Sequence, residues 1–196
     1  MYQYYRFYKP YGYLSQFTDE GNKQGLKHLL NVDADVYAVG RLDSDSEGLL
    51  LLTNDKCVNQ LLLNPRHSHT RSYLVQVDGA IDDKAIMLME MPMQLRIKKK
   101  THVTLPAKAE KLDTAPDLPE RDPPVRFRAN IPTSWIRLVI REGKNRQVRK
   151  MTAHVGFPTL RLVRESIEQL DLGGMKPGDI EAMDEADFYR LLRLKK

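Results

Sequence analysis

The spacing of apolar positions changes along the chain, and each period predicts an element. RSYLVQVDGA (71–80) alternates, with Tyr73, Val75 and Val77 on one face, and predicts a strand. SWIRLVIREG (134–143) alternates too: Trp135, Arg137, Val139 and Arg141 on one side, Ile136, Leu138 and Ile140 on the other. GLLLLTND is a continuous apolar run closed by a turn, which predicts a buried strand. DVYAVGRLD (35–43) predicts a strand ending near Asp43, with Arg41 on the same face as Asp43. Residues 2–17 predict a strand, a KPYG turn and a second short strand. Helical spacing predicts short helices over 25–33, 56–65 and 82–91, the second stopping at Pro65. NRQVRKMTAHVG (145–156) predicts a helix with Asn145 as N-cap, Gly156 at its stop and an inner stripe of Val148, Met151, Thr152 and Val155. TLRLVRES and GDIEAM predict late strands, and a closing helix follows Asp184.

Strands and helices do not alternate strictly. The order therefore predicts an α+β fold with a mixed, largely antiparallel central sheet and flanking helices. Length is compatible with one domain over all 196 residues. Six of the eleven prolines fall within 106–132, which predicts a long irregular connection.

Composition narrows the chemistry. With one cysteine, Cys57, neither an internal disulfide nor a cysteine zinc cage can form. No secretory signal and no apolar run of membrane-spanning length is visible, so a cytoplasmic protein without membrane contact is expected. The net charge is +5, but residues 121–166 alone carry eleven Lys/Arg against three Asp/Glu, a local +8. That segment is either a polyanion-facing surface or a solvated basic face.

The candidate chemistry centres on GRLDSDSEGLLLLTND (40–55). Asp43, Asp45, Glu47 and Gly48 imitate the start of a calcium loop. The imitation fails at the ninth position, Leu51, at the twelfth, Asn54, and in its flanking strand. His67 and His69 would point to opposite faces of a strand, and His28, His102 and His154 stand alone, so no metal site is expected. Asp43 itself is either an ordinary turn residue or a carboxylate held at a sheet edge for catalysis.

GRLDSDSEGLLLLTND resembles the signature of the pseudouridine synthases, in the branch acting on small- and large-subunit ribosomal RNA. Three other segments match that family in its order: KPYG (9–12), RSYLVQVDG (71–79) and REGKNRQVRKMTAHVGFPTLRLVR (141–164). NIPTSWIRL (130–138) is similar to the large-subunit enzymes in particular. The likeness runs from about Lys9 to Met183.

The resemblance implies a catalytic domain of two lobes around a cleft, with no separate N-terminal RNA-binding domain. It implies Asp43 as the catalytic aspartate, Tyr73 as the tyrosine against the target base, and Arg149 as the cation paired with the aspartate. Arg41 would help fill the space left by a flipped-out uridine. Lys144, Asn145, Arg146, Gln147 and Lys150 would meet RNA, and Lys9 and Pro10 would support the site wall. Lys144 and Lys150 stand where the family often has arginine. The implied reaction converts one uridine of 23S rRNA to pseudouridine in a monomeric enzyme needing neither metal nor cofactor. A non-catalytic RNA-binding or ribosome-assembly factor on the same scaffold is the alternative.

Overall fold

The computed structural model describes residues 1–126 and 130–195. In chain order its elements begin with β1 (Tyr4–Lys9), β2 (Tyr37–Val39), β3 (Glu47–Thr53), α1 (Lys56–Leu63) and β4 (Arg71–Asp78). There follow α2 (Asp83–Glu90), β5 (Gln94–Ile97), β6 (Lys100–Val103), β7 (Lys108–Leu112) and β8 (Thr133–Ile140). The last are α3 (Gln147–His154), β9 (Thr159–Ile167), β10 (Leu170–Asp171), β11 (Ile180–Met183) and α4 (Glu185–Leu191). The fold is α+β with a mostly antiparallel sheet, as the element order predicts. The chain forms two compact units, Met1–His69 with Arg164–Lys196, and Thr70–Val163; the division falls inside β9.

In the first unit, β1 lies antiparallel to both β3 and β11, and β2 pairs with the other edge of β3's residues 51–53. All seven residues of β3 are buried, which explains its unbroken apolar run. Leu50 and Leu52 join Phe7, Leu26, Leu30 and Val36 in one core cluster. Helix α1 starts at Asp55, whose carboxylate accepts from the Cys57 amide at 3.0 Å, and buries Val58 and Leu62 one turn apart. Asp55 also accepts from Tyr4 Oη at 2.9 Å and from Tyr189 Oη of α4 at 2.5 Å. One buried carboxylate thus ties the first strand, the first helix and the last helix together.

In the second unit β4, β8 and β7 lie side by side, antiparallel, with Tyr73 opposite Leu138. Ile136, Leu138 and Ile140 are buried and their neighbours half-exposed, the alternation that the sequence predicts. β5 and β6 form a separate hairpin.

The structure departs from the sequence reading at several elements. Residues 13–17 form no strand, because their backbone turns to Gln24 and Leu26: Leu14 donates to Gln24, and Leu26 donates to Gln16. The expected helix at 25–33 shrinks to a 3-10 turn, Leu26–His28. The proline-rich segment 106–132 contains the strand β7, and its residues 127–129 lie outside the described residues. Helix α3 starts at Gln147 with Arg146, not Asn145, as N-cap.

Candidate active site

Asp43 sits on a loop of the first unit. Strand β2 stops at Val39 because Gly40 takes a left-handed conformation, φ 72°, which only glycine adopts without strain. Arg41 and Asp43 therefore follow the strand, and the shared strand face expected for them does not form. Arg41 is exposed and Asp43 half-buried.

The loop is fastened at alternate residues by the N-terminal segment. Ser15 Oγ accepts from the Leu42 amide at 2.8 Å and donates back to the Leu42 carbonyl at 2.7 Å. The Gly12 amide donates to the Ser44 carbonyl at 2.7 Å. Lys9 Nζ donates to the Ser46 carbonyl at 2.7 Å and to the Pro10 carbonyl at 2.9 Å. The loop closes on itself where the Ser46 amide meets the Asp43 carbonyl at 3.0 Å. Both neighbours of Asp43 in sequence are thus fixed, and its carboxylate stands on a backbone with little freedom.

Strand register explains why KPYG and the acidic turn meet. Lys9 faces Gly48 across the β1–β3 pair, so the chain leaving β1 runs beside the chain entering β3. Gly48, at φ 104°, admits no side chain: a Cβ there would lie 2.3 Å from the Arg164 carbonyl oxygen. Arg164 Nε donates to the Leu49 carbonyl at 2.7 Å on the same side. Lys9, Glu47 and Arg164 are all buried. Burial pulls the Lys9 amine down to about 7, Arg164 pushing the same way and Glu47, Asp45 and Asp43 opposing. A neutral amine still has two N–H groups, enough for both of its carbonyl partners.

The second unit carries the other predicted residues. Tyr73 is buried on β4. Arg149 is half-buried on α3, next to buried Val148. Lys144, Asn145 and Arg146 are exposed on the loop that leads into α3. Arg146 holds a left-handed backbone, φ 53°, which costs an arginine roughly 1–2 kcal/mol. Two side chains expected to meet RNA also bond within the unit. Gln147 is buried, its Nε2 donating to Glu142 Oε1 at 2.8 Å and its Oε1 accepting from the Lys144 amide at 3.1 Å. Lys150 Nζ donates to the Arg96 carbonyl at 2.7 Å. Gln147 braces the loop, and Lys150 ties α3 to β5.

Ser15 and Glu142 are the supports that sequence reasoning passes over. A serine in a turn-rich stretch carries no signal of its own. Glu142 lies inside the REGKNRQ segment, where an acid among basic residues carries no signal of the bonds it makes. The histidines also differ from expectation: the His67 and His69 rings stack with centroids 5.9 Å apart, while His69 Nδ1 lies 3.3 Å from Glu168. Among the described residues, no group of three His, Cys, Asp or Glu side chains could hold a metal ion. No helix among them is long and apolar enough to cross a membrane.

A fastened aspartate on the KPYG side of a β-rich unit, with a buried tyrosine strand and a basic strand–loop–helix in the other, matches a known class. The family model for RNA pseudouridylate synthases covers residues 3–154, and the chain belongs to that family. Among its relatives is the ribosomal large subunit pseudouridine synthase E of Vibrio parahaemolyticus, 52% identical over 172 residues, spanning 88% of this chain and 70% of that protein. The synthase of the same name from Xanthomonas campestris pv. campestris is 46% identical over 187 residues, spanning 94% of this chain and 97% of that protein. A solved structure described as a pseudouridylate synthase matches the fold with a TM-score of 0.76, over 97% of this chain and 74% of that one, at 23% identity.

Proposed function

We propose that this chain isomerises one uridine of large-subunit (23S) ribosomal RNA to pseudouridine, with Asp43 as the catalytic carboxylate. The observation that carries the reading is the loop of Asp43, fastened through Leu42, Ser44 and Ser46 in a chain about half identical to named large-subunit synthases.

The reaction breaks the bond between C1′ and N1, turns the base, and joins C1′ to C5. The C5 proton leaves and N1 gains one, so the product is an isomer with no redox change. Asp43 acts either as nucleophile or as base, and both roles need an ionised carboxylate held in one place. The uridine must leave its stack to reach it, at a few kcal/mol. In this reading Tyr73 meets the target base and Arg149 supplies the positive charge that the family motif gives it. Arg41, exposed on the same loop, is suited to cover the gap left by the extruded base, its aliphatic stem packing and its guanidinium stacking. Lys144, Asn145 and Arg146 meet the surrounding RNA, while Gln147 holds that loop in shape and Lys150 ties α3 to β5. Lys9 and Pro10 support the wall of the site. The enzyme works as a monomer in the cytoplasm.

Mapping pseudouridines in ribosomal RNA from cells lacking this protein tests the reading. One large-subunit position should revert to uridine. An unchanged large-subunit map would refute it.

A further inference from the structure

The β5–β6 hairpin belongs to the second unit, and none of its side chains is among the site residues described above. Its residues 94–104, QLRIKKKTHVT, contain no acid. Arg96, Lys98, Lys99 and Lys100 are all exposed. The turn itself has two residues, Lys98 and Lys99, since Ile97 pairs with Lys100. Lys98 has φ 56°, a conformation for which hairpin turns favour glycine or asparagine. A lysine there gives up the best turn residue and keeps a charge at the tip.

The hairpin is also bound to the basic loop before α3. Lys150 of α3 donates to the Arg96 carbonyl at 2.7 Å. His102 Nε2 of β6 lies 2.7 Å from Glu142 Oε2. Glu142 Oε1 accepts from the Leu105 amide at 2.8 Å, just past the hairpin, and from Gln147 Nε2 at 2.8 Å, at the start of α3. One buried-edge carboxylate therefore ties hairpin and loop into a single piece. Two lysines and an arginine of the loop segment are used differently: Lys150 as a tie, Lys144 and Arg146 as exposed cations.

We infer that the β5–β6 hairpin is a second RNA-contact surface, gripping backbone phosphates with Lys98, Lys99 and Lys100 and held in register with Lys144 and Arg146 through Glu142. The inference rests on the rRNA reading for its ligand. Its sequence-independent chemistry, three ammonium groups and no base-reading amide at the tip, fits phosphates and not base edges.

The test compares two triple variants on an unmodified 23S rRNA transcript, with binding measured across a series of KCl concentrations. One variant is Lys98→Gln, Lys99→Gln, Lys100→Gln. The control, Lys84→Gln, Lys108→Gln, Lys111→Gln, removes the same charge from exposed positions elsewhere in the unit. The hairpin variant should flatten the slope of log affinity against log salt by about 2, for three phosphates on non-duplex RNA, and weaken binding about tenfold at physiological salt. The control should leave the slope nearly unchanged. Equal slopes for wild type and hairpin variant, or equal flattening by both triples, would overturn the inference. Tritium release from the same transcript separates it from the function reading. A wild type that binds with the predicted slope difference but releases no label sinks the enzyme and spares the hairpin. An active wild type with no slope difference does the reverse.

Discussion

At the scale of single residues, the hydroxyl of Ser15 has an outsized part. It is both donor and acceptor to the peptide groups of Leu42, immediately before Asp43. Ser15→Ala would leave a buried N–H and a buried C=O without that partner, at a cost of roughly 1–3 kcal/mol. The larger effect should be on turnover, because a catalytic group displaced by an ångström can lose about 10²-fold. Steady-state kinetics should show kcat falling about that far with KM little changed, and Ser15→Thr should restore most of it. A fall in thermal stability with kcat intact would leave Ser15 as a packing residue only. Lys9 makes a separate prediction, about pH. Its folded-state value, about 7, lies below the ordinary lysine value of 10.5. Between those two values the unfolded chain holds more protons at this site than the folded one, so stability from this group rises with pH across that window. Urea unfolding of wild type and Lys9→Met at pH 7 and pH 9.5 should show wild type gaining on the variant at the higher pH. Parallel behaviour of the two proteins would mean that Lys9 titrates as an exposed amine does.

At the scale of elements, the Asp55 cluster links pieces far apart in sequence. Burial alone would raise the pKa of Asp55, but donors from Tyr189, the Cys57 amide and Tyr4 outweigh it, and the carboxyl is held below its usual value. Its contribution to stability is therefore complete above the ordinary carboxylate range and is lost as pH falls through the depressed folded value. Tyr189→Phe removes one donor to a buried charge and should cost about 1.5–3 kcal/mol near neutral pH. The loss should shrink as acid is approached, which denaturant titrations at pH 7 and pH 3 would detect. A pH-independent loss would assign the effect to packing of the ring.

Much at this scale was legible in the sequence. β3, β4, β8, α1, α2 and α4 follow from apolar period and from caps such as Asp55, Asp82 and Asp184, which are local signals. What local pattern missed was decided by partners distant in sequence. The aromatic run at 13–17 looks like a strand, yet its backbone is used by Gln24 and Leu26 and its Ser15 by Leu42. Asn145 is a better N-cap by type than Arg146, but the Glu142–Gln147–Lys144 bonding sets the helix to begin one residue later. Gln147 and Lys150 are singled out by the motif, and their bonds to Glu142 and Arg96 are visible only in the structure. Asp43 is legible as a motif residue; the fastening of its loop through Leu42, Ser44 and Ser46 is not readable from spacing.

At the scale of the whole molecule, the residues of the family motif are divided between the two units: Lys9, Arg41 and Asp43 in the first, Tyr73, Arg149 and the basic loop in the second. The concentration of positive charge follows that division, since most of the +8 segment, 121–166, belongs to the second unit. Binding and chemistry should then separate by mutation. On the proposed function, substitutions of the second unit's charges should lower affinity for RNA, and substitution of the fastened carboxylate of the first should lower turnover. The most direct measurement is tritium release from C5-labelled uridine in unmodified 23S rRNA, by wild type and by Asp43→Asn. The substitution is nearly isosteric and removes only the carboxylate's charge. Wild type should liberate label from one uridine per transcript, and Asp43→Asn should liberate none while binding the RNA with wild-type affinity. Turnover by Asp43→Asn would contradict the account.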